Sequence, residues 1–301
     1  MKKISIITQH DINSVNGSTV RPKWQIKALQ KLGYEKATII DNFNESKLNQ
    51  VTNTLIHAHQ FSGRIIQNKK FIVDIHGLEH IQDRNLIKGF PITSWKKYGY
   101  IAKSIFYKKI EEKLFKNAVH LICSSEDIQE KVKKIQNSTL VRNAVFIDEF
   151  LPCDNSELKI VLVGPFLPGT INFEGLNIIS KIVKKFPKIK FTFIGKTNEF
   201  FKNQLKNENT EFLGVVDNYE STLRKHSVLF APYPSHAKYL GSKNKFLEAA
   251  ACKMPIITTS SGAVDFRNDL LSIGNTTEKI SNLIEYLMNE NNRRNIGNKL
   301  R

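Results

Sequence analysis

The chain has 301 residues, and 45 lysines and arginines against 28 aspartates and glutamates give it a formal net charge of +17 at pH 7. This charge favours an anionic partner, which can be nucleic acid, an anionic membrane surface or a phosphorylated substrate. Nucleic acid is disfavoured because the sequence has no zinc-finger spacing, no RNP-like aromatic strand and no arginine-rich tract. No signal-peptide pattern follows Met1, and no apolar run approaches the roughly 20 residues that span a bilayer. Three cysteines without a C-x-x-C pair indicate reduced thiols of a cytoplasmic protein.

The first 40 residues predict a βαβ unit. An apolar strand over 2–7 is followed by a polar loop that ends at Gly17 and Ser18. A helix is predicted from about Arg21 to Leu32, with Pro22 in its first turn, and a second strand over 37–40. The first turn of such a unit is a frequent site for a phosphate or a sugar, so the glycine loop is a candidate binding loop.

Two further strands, predicted over 54–59 and 70–77, contain three histidines. His57 and His59 have a spacing that can bind a metal on a strand. No cysteine or close carboxylate completes that site, so we interpret them as ordinary strand-end histidines. His76 differs because it ends an apolar strand and precedes a glycine, the position at which α/β proteins place catalytic groups.

The segment 88–116 changes character, with eight lysines against two glutamates and seven aromatic residues. Apolar side chains recur every four residues, which predicts a helix with one apolar stripe: Tyr98, Ala102, Phe106, Ile110 and Leu114. Lysine beside Trp and Tyr is typical of an interfacial helix on anionic lipid. The alternative is that the stripe packs on its own domain and the lysines are only solvated.

A second series of strands and helices begins after a polar linker at 152–157. Before the linker, a strand is predicted at 119–125 and a helix from 126 onward. After it, strands are predicted at 158–164, 190–195 and 227–232, with helices at 173–186 and 278–289. The alternation predicts two doubly wound α/β domains, 1–150 and 151–301. Little of the sequence follows the 278–289 helix, and no further helix is predicted there.

The stretch 240–262 carries the strongest chemical signal. It reads as a glycine turn with Lys243 and Lys245, a short helix with Glu248 one turn in, a proline break at Pro255 and a buried strand. Lysines in front of a helix N-terminus make an anion site suited to a phosphate or a diphosphate, and a carboxylate one turn later can accept hydrogen bonds from sugar hydroxyls. The alternative is a surface helix with a solvated basic start.

The run Gly241-Ser-Lys-Asn-Lys-Phe-Leu-Glu248 resembles the donor-nucleotide motif of glycosyltransferase family 4, in the subgroup with a Gly-x-Lys-Asn-Lys-x-Leu-Glu pattern. The resemblance implies the GT-B fold, two facing Rossmann-like domains with a cleft between them: an acceptor-side domain 1–150 and a donor-binding domain 151–301. Glu248 would hold the ribose, as the second glutamate of the family's Glu-x7-Glu motif does. Leu240 stands where the first glutamate would be.

The resemblance also assigns roles outside this motif. His76 is similar to the histidine of the family's His-Gly or His-Asp step, which contacts the donor sugar, so His76 and Glu248 are the candidate catalytic residues. Gly17, Ser18 and Gly164 occupy the places of donor-binding loops. Pro165 and Phe166 replace the arginine that most members place after the glycine, which leaves the diphosphate to Lys243, Lys245 and backbone N–H groups. His80, on the loop after His76, is a candidate for the acceptor side.

The expected function is transfer of a sugar, with retention, from a nucleotide-diphosphate sugar to a hydroxyl acceptor. No Asp-x-Asp occurs, so we expect no metal and no other cofactor. If 88–116 lies on an anionic membrane, the acceptor is a lipid-linked saccharide or glycolipid at the cytoplasmic face. The alternatives are a nucleotide-sugar epimerase of the same fold and a catalytically idle basic module that binds nucleotide sugars.

Overall fold

The computed structural model describes residues 3–13, 17–51, 54–87, 93–154, 156–237 and 243–301. The chain divides into two compact units. The N-terminal unit comprises residues 1–144 together with 239–244, and the C-terminal unit comprises residues 145–238 together with 245–301. The division along the chain thus falls at 144–145, and one short segment near 240 groups with the N-terminal unit.

The N-terminal unit is built on a six-stranded sheet in which all neighbouring strands are parallel. Its strands are β1 (Lys3–Ile7), β2 (Thr38–Ile40), β3 (Thr54–His59), β4 (Phe71–Ile75), β5 (His120–Cys123) and β6 (Ser138–Leu140). Its helices are α1 (Gly17–Lys31), α2 (Glu79–Ile87), α3 (Trp95–Asn117) and α4 (Glu126–Val132).

The strands of this unit are short apolar runs because parallel strands are covered by helices on both faces. Ile56, Val73 and Ile75 are buried in the sheet, and Leu114 and Phe115 of α3 pack against the same core. The strand order β2-β1-β3-β4-β5-β6 is that of a doubly wound sheet. Its topological switch point lies between β1 and β3, where ligands of such folds bind at the carboxyl ends of the strands.

The C-terminal unit repeats the design with a second parallel six-stranded sheet. Its strands are β7 (Lys159–Val163), β8 (Lys190–Ile194), β9 (Thr210–Gly214), β10 (Val228–Ala231), β11 (Ile256–Thr258) and β12 (Ser272–Ile273). Its helices are α5 (Ile171–Glu174), α6 (Leu176–Lys185), α7 (Glu199–Leu205), α8 (Tyr219–Leu223), α9 (Asn244–Ala251), α10 (Thr277–Tyr286) and α11 (Glu290–Leu300).

Aromatic packing dominates one side of the C-terminal core, where five phenylalanine rings contact one another: Phe166, Phe173, Phe193, Phe201 and Phe212. The strand order β12-β11-β10-β7-β8-β9 is the Rossmann order, with the first strand of the unit in the middle. The switch point of this sheet therefore lies between β7 and β10. The two parallel sheets confirm the predicted doubly wound α/β class.

Three helices differ from the sequence prediction. Helix α1 begins at Gly17, so Pro22 lies inside it rather than in its first turn. The predicted 173–186 helix is two helices that meet at Gly175, where an added Cβ would lie 2.7 Å from the carbonyl oxygen of Pro232. After α10 the chain continues into α11, and the Arg301 guanidinium donates to the carbonyl oxygens of Phe150 and Ala251.

Candidate functional site

Lys245 marks the switch point of the C-terminal unit. It lies in the first turn of α9 and not, as predicted, in the loop before it, because the helix already begins at Asn244. Its Nζ donates to the carbonyl oxygen of Val163, the last residue of β7, at 2.7 Å and to Oδ1 of Asn172 at 2.8 Å. The same ammonium lies 5.1 Å from the centre of the Tyr233 ring, just after β10. A cation is thus fixed between the carboxyl ends of β7 and β10.

Gly164 allows this arrangement. Its φ of +136° lies in a region that residues with a side chain rarely adopt, and a Cβ there would come within 2.2 Å of Nδ2 of Asn172. Any larger residue would therefore push Asn172 away from Lys245. The prediction that Gly164 belongs to the donor site remains a prediction, and the structure gives it a concrete role in shaping the loop after β7.

Glu248 lies one turn into α9 and is buried. The hydroxyl of Tyr219, at the start of α8, donates to Oε2 of Glu248 at 2.8 Å. Burial raises the pKa of Glu248, and the Tyr219 hydrogen bond and the Lys245 charge partly oppose that rise. Burial, with the nearby Glu248 carboxylate, also raises the pKa of Tyr219 well above its ordinary value, so the phenol stays a donor. Sequence reasoning missed Tyr219, because it lies 29 residues from Glu248 along the chain.

Lys243 is also buried, and it falls in the segment 239–244 that groups with the N-terminal unit. The structure therefore assigns Lys243 and Lys245, which the sequence placed in one turn, to different units. Leu240 and Gly241, the first residues of the predicted motif, lie outside the described residues.

The N-terminal unit carries a buried polar network beside its own switch point. Asp74, the fourth of the five residues of the apolar strand β4, is 0 % exposed. Arg21 of α1 donates from Nε to Asp74 Oδ1 at 2.8 Å, and Gln25 donates to Oδ2 at 2.6 Å. A second nitrogen of Arg21 donates to Oδ1 of Asn143 at 2.7 Å. Burial alone would raise the pKa of Asp74, but the hydrogen bond from His57 and the charge of Arg21 hold it well below its ordinary value.

The three strand histidines converge on this carboxylate. Nε2 of His57 donates to Asp74 Oδ2 at 3.1 Å. Nδ1 of His59 and Nε2 of His76 lie 2.6 Å apart, and that nitrogen of His76 is 3.6 Å from Asp74 Oδ1. Burial lowers the pKa of His59 well below 6.5 and that of His76 to about 4, although Asp74 opposes both shifts. His59 and His76 are therefore neutral at pH 7.

The same cluster includes the metal-compatible group of the described residues: His57, His59 and Asp74, whose ligand atoms lie within 4.8 Å of one another. Both oxygens of Asp74 already accept hydrogen bonds, and the guanidinium of Arg21 lies against one of them. A divalent cation would have to displace these donors and sit beside a positive charge. The expectation that no carboxylate lies close to these histidines is therefore wrong, because Asp74 does, but we keep the interpretation that they are not metal ligands.

Other predicted residues are placed as follows. Gly17 and Ser18 form the first turn of α1, so the prediction that they end a loop is wrong; the preceding residues 14–16 lie outside the described residues. His80 is not on a loop either, because α2 starts at Glu79; its Nδ1 hydrogen-bonds to the carboxylate of Glu111 on α3. Arg21 and Asp74 were missed, although a carboxylate inside the apolar run Phe71–Ile75 was a usable signal for a buried polar site.

Helix α3 exposes the first half of its predicted apolar stripe. Trp95 is 78 % exposed and Phe106 61 %, and Tyr98, Ile101 and Ile105 are exposed as well. Only the end of the predicted stripe, at Leu114, joins the core. We call the exposed residues between 95 and 106 of α3, together with Lys97 and Lys109, the α3 surface. Of the helices that the structure describes, none combines the length and apolarity that crossing a membrane requires.

Part of the chain matches a known protein family. Residues 157–290 match the family model described as glycosyl transferases group 1. The match runs from β7 to α10 and covers a little under half of the chain. No curated protein sequence matches the chain.

Solved structures match the chain over nearly its whole length. Sucrose-phosphate synthase from Thermosynechococcus elongatus has a TM-score of 0.76 at 13% identity, with 100% of this chain and 93% of that one covered. WaaG, a glycosyltransferase involved in lipopolysaccharide biosynthesis, has a TM-score of 0.71 at 10% identity, with 99% and 94% covered. HepE from Anabaena, determined with UDP and glucose, has a TM-score of 0.62 at 13% identity, with 99% and 95% covered. The chain has the GT-B fold.

Proposed function

We propose that this protein is a retaining glycosyltransferase that moves a sugar from a nucleotide-diphosphate sugar to a hydroxyl acceptor. The observation that carries the proposal is the start of α9, where Lys245 lies at the switch point of the C-terminal unit and Glu248 follows one turn later. A fixed cation suits a diphosphate, and a buried carboxylate suits the paired hydroxyls of a ribose. The family match over 157–290 supports the same chemistry.

Charge stabilisation is the main contribution that we assign to the C-terminal unit. The departing nucleoside diphosphate gains negative charge, which Lys245, Lys243 and the N–H groups at the start of α9 stabilise. Gly164 shapes the loop beside Lys245, and we keep Gly17 and Ser18 as candidate contacts of the donor at the start of α1. These groups need no metal, so we propose a metal-independent reaction. A β-phosphate oxygen of the donor takes the proton of the acceptor hydroxyl.

His76 is assigned to the donor sugar. It directly follows β4, one strand beyond the switch point of the N-terminal unit, and 15 % of its side chain is exposed, whereas Asp74 is fully buried. Its pKa of about 4 makes it a neutral hydrogen-bonding group at pH 7 rather than a cation. We therefore expect it to orient a sugar hydroxyl, not to neutralise phosphate. We also propose membership of the subgroup with the Gly-x-Lys-Asn-Lys-x-Leu-Glu pattern.

The first experiment measures binding of nucleoside diphosphates by calorimetry, followed by product analysis with the matching nucleotide sugars and simple hydroxyl acceptors. We expect one nucleoside diphosphate to bind, the reaction to persist in EDTA, and the product to keep the anomeric configuration of the donor. Lys245→Met should weaken binding by about 1–3 kcal/mol, because a hydrogen bond to a charged group is lost. The matched control is Lys202→Met, an exposed lysine of α7 paired with Glu199.

Other outcomes would contradict the proposal. An epimer formed from the donor alone would identify a nucleotide-sugar epimerase. Tight binding without turnover on any acceptor would identify an idle binding module. Loss of activity in EDTA would overturn the metal-independent mechanism and leave the fold assignment intact.

We further propose that the α3 surface binds an anionic membrane and that the acceptor is a lipid-linked saccharide or glycolipid at the cytoplasmic face. Trp95, Tyr98 and Phe106 present aromatic rings to solvent on one side of the helix. Lys96 and Lys109 of the same helix are exposed, and Lys97 is half-buried. Aromatic and apolar groups bordered by lysines suit a headgroup layer, and each lysine adds about 1 kcal/mol near such a surface.

Sedimentation with vesicles tests this surface. We expect binding to vesicles that contain an anionic lipid, little binding to neutral vesicles, and loss of binding at high salt. Lys96→Glu, Lys97→Glu and Lys109→Glu combined should abolish it. Lys103 is unsuitable for this variant because its ammonium hydrogen-bonds to Asp83 at 3.1 Å.

The matched control carries the same charge change elsewhere, Lys181→Glu, Lys184→Glu and Lys188→Glu on the exposed side of the C-terminal unit. Equal loss of binding in both triple variants would show only a net-charge effect. Equal recovery of wild type in the supernatant with both vesicle types would reject the membrane role.

A further inference from the structure

The hydrogen bond between His59 and His76 can be formed in two ways. Nδ1 of His59 and Nε2 of His76 lie 2.6 Å apart, and their rings meet edge to face with centroids 4.8 Å apart. Burial keeps both imidazoles neutral at pH 7, so one of the two nitrogens carries the proton and the other accepts it. The choice fixes the tautomer of His76 and decides whether its Nδ1 is a donor or an acceptor.

Asp74 makes one of these two arrangements lower in energy than the other. Its Oδ1 lies 3.6 Å from Nε2 of His76, and the Arg21 guanidinium keeps the carboxylate ionised. A negative charge at that distance favours the arrangement in which Nε2 of His76 carries the proton, since the opposite arrangement places an unprotonated nitrogen beside the carboxylate. In the favoured arrangement Nε2 of His59 carries a proton that no group accepts, and the attraction between the protonated Nε2 of His76 and Asp74 offsets that cost.

We propose that Asp74 and His59 are positioning residues that hold His76 in the tautomer with the proton on Nε2. Nδ1 of His76 is then a hydrogen-bond acceptor for a hydroxyl of the donor sugar, a role that rests on the proposed function. The exposure of the three side chains agrees with these roles. His59 and Asp74 are buried, and of the three only His76 keeps a partly exposed side chain that a sugar could reach. His57 binds the opposite oxygen of Asp74 and steadies the carboxylate.

The backbone around His76 is held as well. With its amide oriented to satisfy the neighbouring donors, Gln60 accepts hydrogen bonds from the backbone N–H groups of His76 and Gly77, each at 3.1 Å. The hydroxyl of Ser124 donates to the carbonyl oxygen of His76 at 3.3 Å. Ring and backbone are thus fixed by different residues, so the network can be changed without removing the backbone contacts.

Nitrogen NMR of the full chain with labelled histidines tests the tautomer without requiring activity. His76→Gln identifies the His76 signals, and His120→Gln, a strand residue bonded to Thr139 outside the network, is the control. At pH 7.5 we expect His76 to show an unprotonated Nδ1 and a protonated Nε2. His59→Gln and Asp74→Asn should each give a mixture of tautomers. A protonated Nδ1 in the wild type would overturn the proposal, and so would an unchanged tautomer in both variants.

Kinetics with the donor found by the nucleotide panel gives a second measurement. His59→Gln should lower kcat on the order of 10-fold to 100-fold, because a misaligned His76 no longer meets the sugar hydroxyl. The KM for the donor and the Kd for the nucleoside diphosphate should be unchanged. A raised Kd with unchanged kcat would contradict the positioning role. If the wild type turns over no donor, the proposed function fails, and the NMR result still decides the tautomer.

Discussion

The polar sites near the switch points of the two units differ in how their charged groups are paired. In the N-terminal unit, Asp74 and Arg21 are both almost completely buried, and every charge there is neutralised by protein groups. In the C-terminal unit, Lys245 donates to a backbone carbonyl and to a side-chain amide, which are neutral acceptors, and its charge partly opposes the rise that burial causes in the pKa of Glu248. The first arrangement pairs buried charges directly, whereas the second places its lysine in the first turn of a helix. A lysine at a helix start suits an anionic ligand, and a site whose charges are already paired suits a neutral one, in agreement with the roles that we propose.

The paired charges of the N-terminal network make it more vulnerable to substitution than the Lys245 site. Removing one partner of a buried ion pair leaves the other charge buried and uncompensated, which is far more costly than losing an exposed pair. The N-terminal unit should therefore be the more sensitive of the two to substitution and to acid. Both tryptophans, Trp24 and Trp95, lie in this unit, so tryptophan fluorescence reports its unfolding selectively.

The largest effect is expected for Asp74→Ala. We expect it to lower the free energy of unfolding of the N-terminal unit by about 3–5 kcal/mol, because Arg21 stays buried without its carboxylate. Urea unfolding followed by tryptophan fluorescence measures this. The control is Glu126→Ala, which breaks the exposed pair with Arg142 in the same unit and should cost less than about 1 kcal/mol.

A double variant sharpens the test. Arg21→Met combined with Asp74→Ala removes both charges, so it should be more stable than Asp74→Ala alone. If Asp74→Ala and Arg21→Met, each made alone, cost no more than Glu126→Ala, the buried pair contributes nothing beyond an exposed one and the contrast between the units fails.

The next effect is acid sensitivity. Burial, partly opposed by Asp74, lowers the pKa of His76 from 6.5 to about 4 in the folded protein. The unfolded state therefore takes up a proton first as the pH falls below 6.5, and stability that is present above 6.5 is lost progressively towards pH 4. For His76 the loss is at most about 3 kcal/mol. The lowered pKa of His59 acts in the same direction.

Urea unfolding at pH 7, 6 and 5 measures this dependence. His76→Asn should flatten it without removing it, because His59 still titrates. His120→Asn, at a half-buried strand position outside the network, should behave as the wild type does. A slope that is identical in His76→Asn and wild type would show that the imidazole of His76 is solvated as in the unfolded chain.

The fold and half of the site could be predicted from sequence. Strands such as 54–59 and 158–164 are short apolar runs between helices, and such runs carry their own signal of a parallel sheet. Lys245 and Glu248 were found because they belong to one helix start, so their spacing is visible in the chain. Their partners Asn172 and Tyr219 come from α5 and α8, and only the tertiary fold brings them there.

The N-terminal network could not be read in this way. Arg21, Asp74 and Asn143 are spread over more than 120 residues. They meet only because the order of the strands in the sheet brings them together, which their spacing in the sequence does not reveal. Pro22 misled the prediction of α1, because proline is most common at the first helical position and here it is the sixth residue. The apolar stripe of α3 was correct as a pattern, but only burial could show that its first half faces solvent.

The smallest effect is expected at Tyr219. It tests whether the hydrogen bond from Tyr219 helps the Glu248 carboxylate to bind a ligand. Tyr219→Phe removes one hydrogen bond to the Glu248 carboxylate and should weaken nucleoside diphosphate binding by about 1 kcal/mol, against about 1–3 kcal/mol for Glu248→Ala. Burial already raises the pKa of Glu248, and Tyr219 opposes that rise. The affinity of Tyr219→Phe should therefore begin to fall at a higher pH than that of wild type as the solution is acidified. Calorimetry across pH 5 to 8 measures both effects, with Tyr286→Phe, an exposed tyrosine of α10, as the control. If Tyr219→Phe follows the wild-type curve while Glu248→Ala loses affinity, Tyr219 only fills space beside the carboxylate.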